Sequence, residues 1–93
     1  MKFKVLLHDA VVKALNKLDN ATKERIKKSL EVLENNPYIN KPGADIKKLA
    51  GTKGRREAYR LRIGDYRAIY FVFDNEIRVT DLIHRSEDYW MLD

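Results

Sequence analysis

The sequence predicts an α+β domain: a small antiparallel sheet covered on one face by an N-terminal αα-hairpin, in the order β-α-α-β-β-β. Three observations carry that expectation. Apolar residues alternate with charged ones in Lys2 to Leu7 and again in Tyr59 to Ile63, the period of a strand with one dry face. Between them, Val11, Val12, Leu15 and Leu18, then Ile26, Leu30 and Leu33, recur at helical spacing. Two turn-forming pairs, Gly64-Asp65 and Asp74-Asn75, punctuate the C-terminal half.

Taken in order, Phe3, Val5 and Leu7 face one way along a first strand. Asp9 is the expected N-cap of the first helix. Asp19-Asn20 breaks and restarts the chain, and the second helix stops at Asn35-Asn36-Pro37, since proline cannot continue a helix and restricts the residue before it. So short a link between helices makes an αα-hairpin. Tyr38 to Gly54 reads as a connector holding the Ile46-Lys47-Lys48-Leu49 piece. If the Gly64-Asp65 loop is two residues long, Ile63 faces Tyr66, Arg62 faces Arg67, Leu61 faces Ala68, Arg60 faces Ile69 and Tyr59 faces Tyr70. One side of the hairpin then carries Tyr59, Leu61, Ile63, Tyr66, Ala68 and Tyr70; the other gathers Arg60, Arg62 and Arg67. Beyond Asp74-Asn75, a second two-residue loop adds Val72, Ile77, Val79 and Ile83 to the apolar side. It also puts Asp81 there, a conflict that a bulge or another loop length would relieve.

Composition narrows the class. Residues 1–93 read as a single domain, and 44% hydrophobic content argues for a packed core. The formal charge is +5, which favours an acidic partner such as nucleic acid. Zero cysteines excludes a disulfide scaffold and thiolate metal sites. The carboxylates are scattered without ligand spacing, so no metal or other cofactor is expected. Only three consecutive apolar residues precede His8-Asp9, too few for a signal peptide or a membrane span, which predicts a soluble, cytoplasmic protein.

The charges are also segregated. Every lysine lies at or before Lys53, and every arginine except Arg25 at or after Arg55. Lysines 13, 17, 23, 27 and 28 decorate the helices as a solvated surface. The arginines are different, because a guanidinium is permanently charged, grips phosphate with two parallel hydrogen bonds and stacks on bases. Like charges directly opposed destabilise a sheet. Arg62 facing Arg67 therefore asks for an anion; the plain alternative is a solvated strand face with a neighbouring acid closing each pair.

The segment Tyr59-Arg60-Leu61-Arg62-Ile63-Gly64-Asp65-Tyr66-Arg67-Ala68-Ile69-Tyr70 resembles a hallmark of the RelE/ParE superfamily of bacterial and archaeal toxins, its RelE branch in particular. The resemblance takes in the opening strand, the helical hairpin, Lys48-Leu49-Ala50-Gly51, then Ile83-His84-Arg85 and Tyr89. It implies a RelE-like fold and the toxin of a type II toxin–antitoxin system. Toxins of this branch cut mRNA in the ribosomal A site without metal, so the resemblance implies a ribosome-dependent mRNA endoribonuclease. It further implies a cognate RelB-like antitoxin whose disordered segment folds on binding, in a heterodimer or heterotetramer. By matching position it makes Arg60 and Arg62 catalytic basic residues, and Arg67 and Arg85 phosphate-binding arginines.

The chemistry sets its own requirements. When a 2′-hydroxyl attacks the adjacent phosphorus, one group takes its proton, another holds the added negative charge and a third protonates the departing 5′-oxygen. Arg60, Arg62 and Arg67 suit the charge-holding task. His84 and Tyr89 are the candidates for proton transfer. The assumed register puts His84 on the arginine face, where neighbouring cations suit it to act as a base; the plainer reading is a capping or surface residue. Tyr89 could stack on a base or orient the hydroxyl, or anchor the tail beside Trp90. Glu57 is a remoter candidate base. A ParE-like inhibitor of DNA gyrase and a catalytically inactive antitoxin-binding module are the alternatives to the nuclease.

Overall fold

The computed structural model describes residues 2–38, 45–49 and 57–87, and those residues form two helices over a five-stranded sheet. In chain order they are β1 (Lys4–Leu7), α1 (Asp9–Asn16), α2 (Asn20–Val32), β2 (Asp45–Lys48), β3 (Glu57–Ile63), β4 (Tyr66–Phe73) and β5 (Glu76–His84). The sheet order is β1-β5-β4-β3-β2. The α+β class and the helical cover on one face are as the periodicity predicts. The connector, however, contributes the edge strand β2, and β1 runs parallel to β5, so the sheet is mixed rather than antiparallel throughout. The parallel pairing follows from the hairpin of helices, which carries the chain back across the sheet before β5 is laid beside β1.

Local chemistry explains the helix boundaries. His8, not Asp9, caps α1: its backbone is extended and its Nδ1 accepts the Ala10 N–H at 3.1 Å. Asp9 falls in the first turn, where its charge favours the helix dipole. Asp19 caps α2, with its carboxylate accepting from the Thr22 N–H at 3.0 Å and the Thr22 hydroxyl at 2.7 Å. Those two bonds, the hydroxyl's foremost, hold the Asp19 carboxyl below its usual range.

The core lies between the helices and the near face of the sheet. Val11 and Leu15 of α1, with Ile26 and Leu30 of α2 and Leu33 just after it, pack on Tyr59, Leu61, Ile63, Ala68, Tyr70, Ile77 and Val79. The β3–β4 register matches the two-residue loop pair for pair, from Ile63 opposite Tyr66 to Tyr59 opposite Tyr70. Gly64 makes that turn possible with φ at +58°, a conformation L side chains rarely adopt. An aromatic row ties the far end together. Phe3 meets Tyr38 edge-on, Tyr38 meets Tyr59 edge-on, and Tyr59 stacks on Tyr70 with centroids 5.6 Å apart. Fully buried Tyr70 donates its hydroxyl to the Pro37 carbonyl at 2.6 Å, and burial pushes its acidity well below that of an ordinary phenol.

The expected register of β5 fails midway. Val79 faces Tyr70, but Asp81, not Thr80, faces Ile69, so Thr80 is an extra residue in a bulge. The physical reason is the conflict noted at Asp81. Without the bulge, its carboxylate would enter the apolar layer; with it, Asp81 turns to solvent and Leu82 packs there instead. The same shift moves Ile83 off the core face, correcting the register prediction. Ile83 joins Ile69, Leu49 and Phe71 in a small apolar cluster of its own. Among the described residues, no helix is long and apolar enough to cross a membrane.

The Tyr70–Pro37 bond yields the first prediction. Tyr70→Phe leaves a buried carbonyl without its donor, at a cost of about 1–3 kcal/mol. Urea unfolding should show a lower midpoint at unchanged slope; an unchanged midpoint would remove this bond from the account of stability.

Candidate functional site

Alternation along β3 and β4 sends Arg60, Arg62 and Arg67 to the sheet face away from the helices. The strands order each one differently. Arg62 and Arg67 stand directly opposed, Arg62 exposed and Arg67 half-buried. Their row runs on to Asp45 of β2, across from Arg62, and to Ile83 of β5, across from Arg67. Among the described residues Arg62 takes part in no ion pair. Asp45 is the nearest acid in register, yet its carboxylate sits 3.5 Å from Nη1 of Arg60 instead.

Arg60 is only 6% exposed, the one buried charged side chain among the described residues. It lies between Lys47 and Ile69 in register, and its Nη1 also donates to the Asp45 carbonyl at 3.3 Å. The guanidinium thus ties edge strand β2 to the middle of the sheet. Arg85 follows directly after β5, where its backbone N–H donates to the Asp65 carbonyl at 2.7 Å. Its exposed side chain leaves Nε 3.5 Å from the Asp65 carboxylate. An ion pair this open to water is worth at most about 1 kcal/mol and yields readily to a better anion. The Gly64-Asp65 turn therefore holds Arg62 and Arg67 beneath it and Arg85 at its rim.

Two other candidates land elsewhere. The Thr80 bulge carries His84 opposite Tyr66, on the helix side, which corrects its expected place on the arginine face. Its ring meets Tyr66 edge-on at 5.0 Å, and its Nδ1 accepts the Ser86 N–H at 3.1 Å. The Ser86 Oγ lies against the same nitrogen at 2.8 Å, so Ser86 occupies that edge of the ring. Glu57 likewise sits on the helix side, bound by the Tyr59 hydroxyl and 3.5 Å from Lys48. The Tyr59 hydrogen bond, then the Lys48 charge, holds its carboxyl below the usual range, which makes it a poorer base. Tyr89 lies outside the described residues, as does the Ala50-Gly51 part of the motif.

One arginine that periodicity had assigned to no site joins this end of the molecule. A Cβ built on Gly64 would lie 3.1 Å from both terminal nitrogens of Arg25 and 3.2 Å from its Cζ. The helical layer thus delivers a guanidinium to the turn. Its signal in the sequence was its isolation, a lone arginine among lysines. At the opposite end Arg78 is committed to Glu76 at 2.8 Å and to the Phe73 ring at 5.5 Å. Among the described residues no three His, Asp or Glu side chains gather as a metal site.

With this geometry in place, comparison with known proteins assigns the family. Residues 5–89 match the family described as ParE toxin of type II toxin-antitoxin system, parDE. The RelE1 protein of Methanocaldococcus jannaschii is 41% identical over 94% of this chain and 93% of its own length. The fold is similar to the archaeal RelE in the RelE–RelB complex from Pyrococcus horikoshii OT3, with a TM-score of 0.80, 38% identity and coverage of 95% of this chain and 100% of the other. It is similar also to a chain of the RelB–RelE antitoxin–toxin complex from Methanococcus jannaschii, with a TM-score of 0.68, 30% identity and coverage of 87% and 91%. The chain therefore belongs to the ParE toxin family of type II toxin–antitoxin systems, and within that superfamily to its RelE branch.

Proposed function

We propose that this toxin is a metal-independent endoribonuclease that cuts mRNA in the ribosomal A site, in the cytoplasm. The observation that carries the reading is the Arg62–Arg67 pair, two arginines directly opposed in the β3–β4 register, an arrangement of like charges that a sheet does not favour by itself. In the reaction the 2′-oxygen bonds to phosphorus and the bond to the 5′-oxygen breaks. A cyclic phosphate and a free 5′-hydroxyl result. Fixed cations stabilise the extra negative charge of the phosphorane more than that of the ground-state phosphate, which is what accelerates the step. Arg62 and Arg67 hold that charge, Arg85 exchanges Asp65 for the phosphate, and buried Arg60 positions β2 and β3. Tyr89 is the side chain assigned to the 2′-hydroxyl. His84 shapes the rim from the other side of the sheet.

The relatives in the two archaeal complexes are bound to RelB. We extend that to a RelB-like antitoxin here, whose disordered segment folds against the toxin and sets acidic groups against its basic surface, as a heterodimer or heterotetramer. The competing reading, inhibition of DNA gyrase, draws on the ParE name of the matched family. The arginine constellation favours RNA, because gyrase poisoning needs no cation pair aimed at a phosphorane.

Two outcomes are expected. With no strong general base at the arginine pair, the enzyme depends on a substrate held for in-line attack, and such orientation supplies up to roughly 7–11 kcal/mol. Purified protein should therefore cleave mRNA on ribosomes with an open A site and leave the naked transcript nearly intact; equal rates on both would overturn the reading.

Substitutions should separate chemistry from structure. Arg67→Ala and Arg85→Ala should each lower cleavage by about 10²–10³-fold with little change in melting temperature. Arg60→Ala should instead cost roughly 1–3 kcal/mol of stability, through lost packing and the lost tie to β2. Lys17→Ala should change neither. Full cleavage by the Arg67 variant would remove the pair from the mechanism.

A further inference from the structure

The Arg25 guanidinium lies flat on the Gly64 turn, and no described role in the fold requires it there. Its two nitrogens and Cζ are nearly equidistant from the Cβ position of Gly64, at 3.1, 3.1 and 3.2 Å. A Cβ at Gly64 would press on it closely enough to move it by a few tenths of an ångström. Arg25 is exposed and, among the described residues, its side chain takes part in no hydrogen bond or ion pair. Its planar face is therefore spent on the glycine while its N–H donors remain open to an incoming group. The turn is narrow, two strands lying roughly 5 Å apart. Arg25 above it and Arg62 and Arg67 beneath it thus bracket one hairpin tip from the two faces of the sheet, with Arg85 at the rim.

We infer that Arg25 is a second phosphate subsite, binding an RNA backbone phosphate other than the one that is cleaved. The inference rests on the nuclease reading above and extends it around the tip of the hairpin. A polyanion crossing that tip meets guanidinium groups on both sides. A planar guanidinium suits a phosphodiester because it donates two parallel hydrogen bonds, which a lysine on the same helix cannot do. Contacts of this kind set register and affinity and carry no sequence preference. Two RNAs offer the same group: the substrate strand and the RNA of the ribosome.

The test compares wild type with Arg25→Gln, which keeps much of the side-chain length and removes the charge, with Lys17→Gln as a control for net charge. The first arm measures binding of a fully 2′-O-methylated, hence uncleavable, RNA oligonucleotide across a salt series. The second measures binding to empty 70S ribosomes. If Arg25 holds a substrate phosphate, Arg25→Gln weakens oligonucleotide binding several-fold and lowers the salt slope by about 0.7, one phosphate contact on a single strand. If it holds a ribosomal phosphate, the loss appears on ribosomes alone. Arg25→Lys should recover part of the affinity, and thermal melting should show all variants folded. Wild-type binding by Arg25→Gln in both arms overturns the subsite, as does an equal loss in the Lys17 control. Failure of the nuclease reading is seen separately, as wild-type protein that leaves ribosome-bound mRNA intact.

Discussion

The register of the β3–β4 hairpin is the constraint on which both faces of this molecule depend. Side chains alternate with period two, so a slip of one residue would exchange the core for the cation face along the whole hairpin. The Gly64-Asp65 turn prevents that slip. Gly64 accepts a positive φ that other residues resist, and two residues are just enough to close the strands with Ile63 against Tyr66. Tyr59, Leu61, Ala68 and Tyr70 then reach the helices, and Arg60, Arg62 and Arg67 face away from them. Burial of the first set stabilises the arrangement that the opposed arginines destabilise. The apolar side supplies far more, at about 25 cal/mol per Å² of apolar surface removed from water. A cation pair can be tolerated on the far face because the near face has already fixed the register.

Much of this was legible in the chain. Helical spacing placed Val11, Leu15, Ile26, Leu30 and Leu33, and all of them are buried. Alternation and the glycine turn placed every pair from Tyr59 to Tyr70. What escaped has physical causes. The parallel pairing of β1 with β5 is a long-range contact with no local signature. Strand β2 is four residues long and mostly exposed, with only Ile46 buried, so no alternating pattern announced it. His8 displaced Asp9 as cap because a histidine ring nitrogen can accept the same N–H that a carboxylate would. The site was less legible than the fold. Periodicity identifies which face a residue takes, and one bulge was enough to send His84 to the wrong one. Arg25 could not be found that way, because its place is set by how α2 lies over the turn.

The Thr80 bulge shows how one extra residue resolves several conflicts at once. Asp81 leaves the core, where an ionised carboxylate would be costly, and Leu82 takes its place opposite Ala68. Ile83 turns to the far face and packs with Ile69, giving half-buried Arg67 an apolar neighbour directly across from it. A low-dielectric neighbour of that kind strengthens the pull of a cation on an anion brought beside it. The bulge thus serves stability on one face and electrostatics on the other.

On the proposed nuclease reading, the placement of the cations on strands rather than loops sets how they would act on a phosphate. β4 is the central strand of five, and β3 lies directly beside it. Arg62 and Arg67 therefore project from backbone held on both sides by hydrogen bonds, so little reorganisation is needed when negative charge develops. Arg85, clipped to Asp65 through both backbone and side chain, is the adjustable member of the set. A rigid pair and an exchangeable third cation suit a phosphate that arrives with two oxygens already directed and gains charge as the bond to phosphorus forms. They do little to remove a proton. Under the proposed reaction such cations would lower the barrier only for a strand already aligned for attack, and that alignment would have to come from the surface that presents the strand.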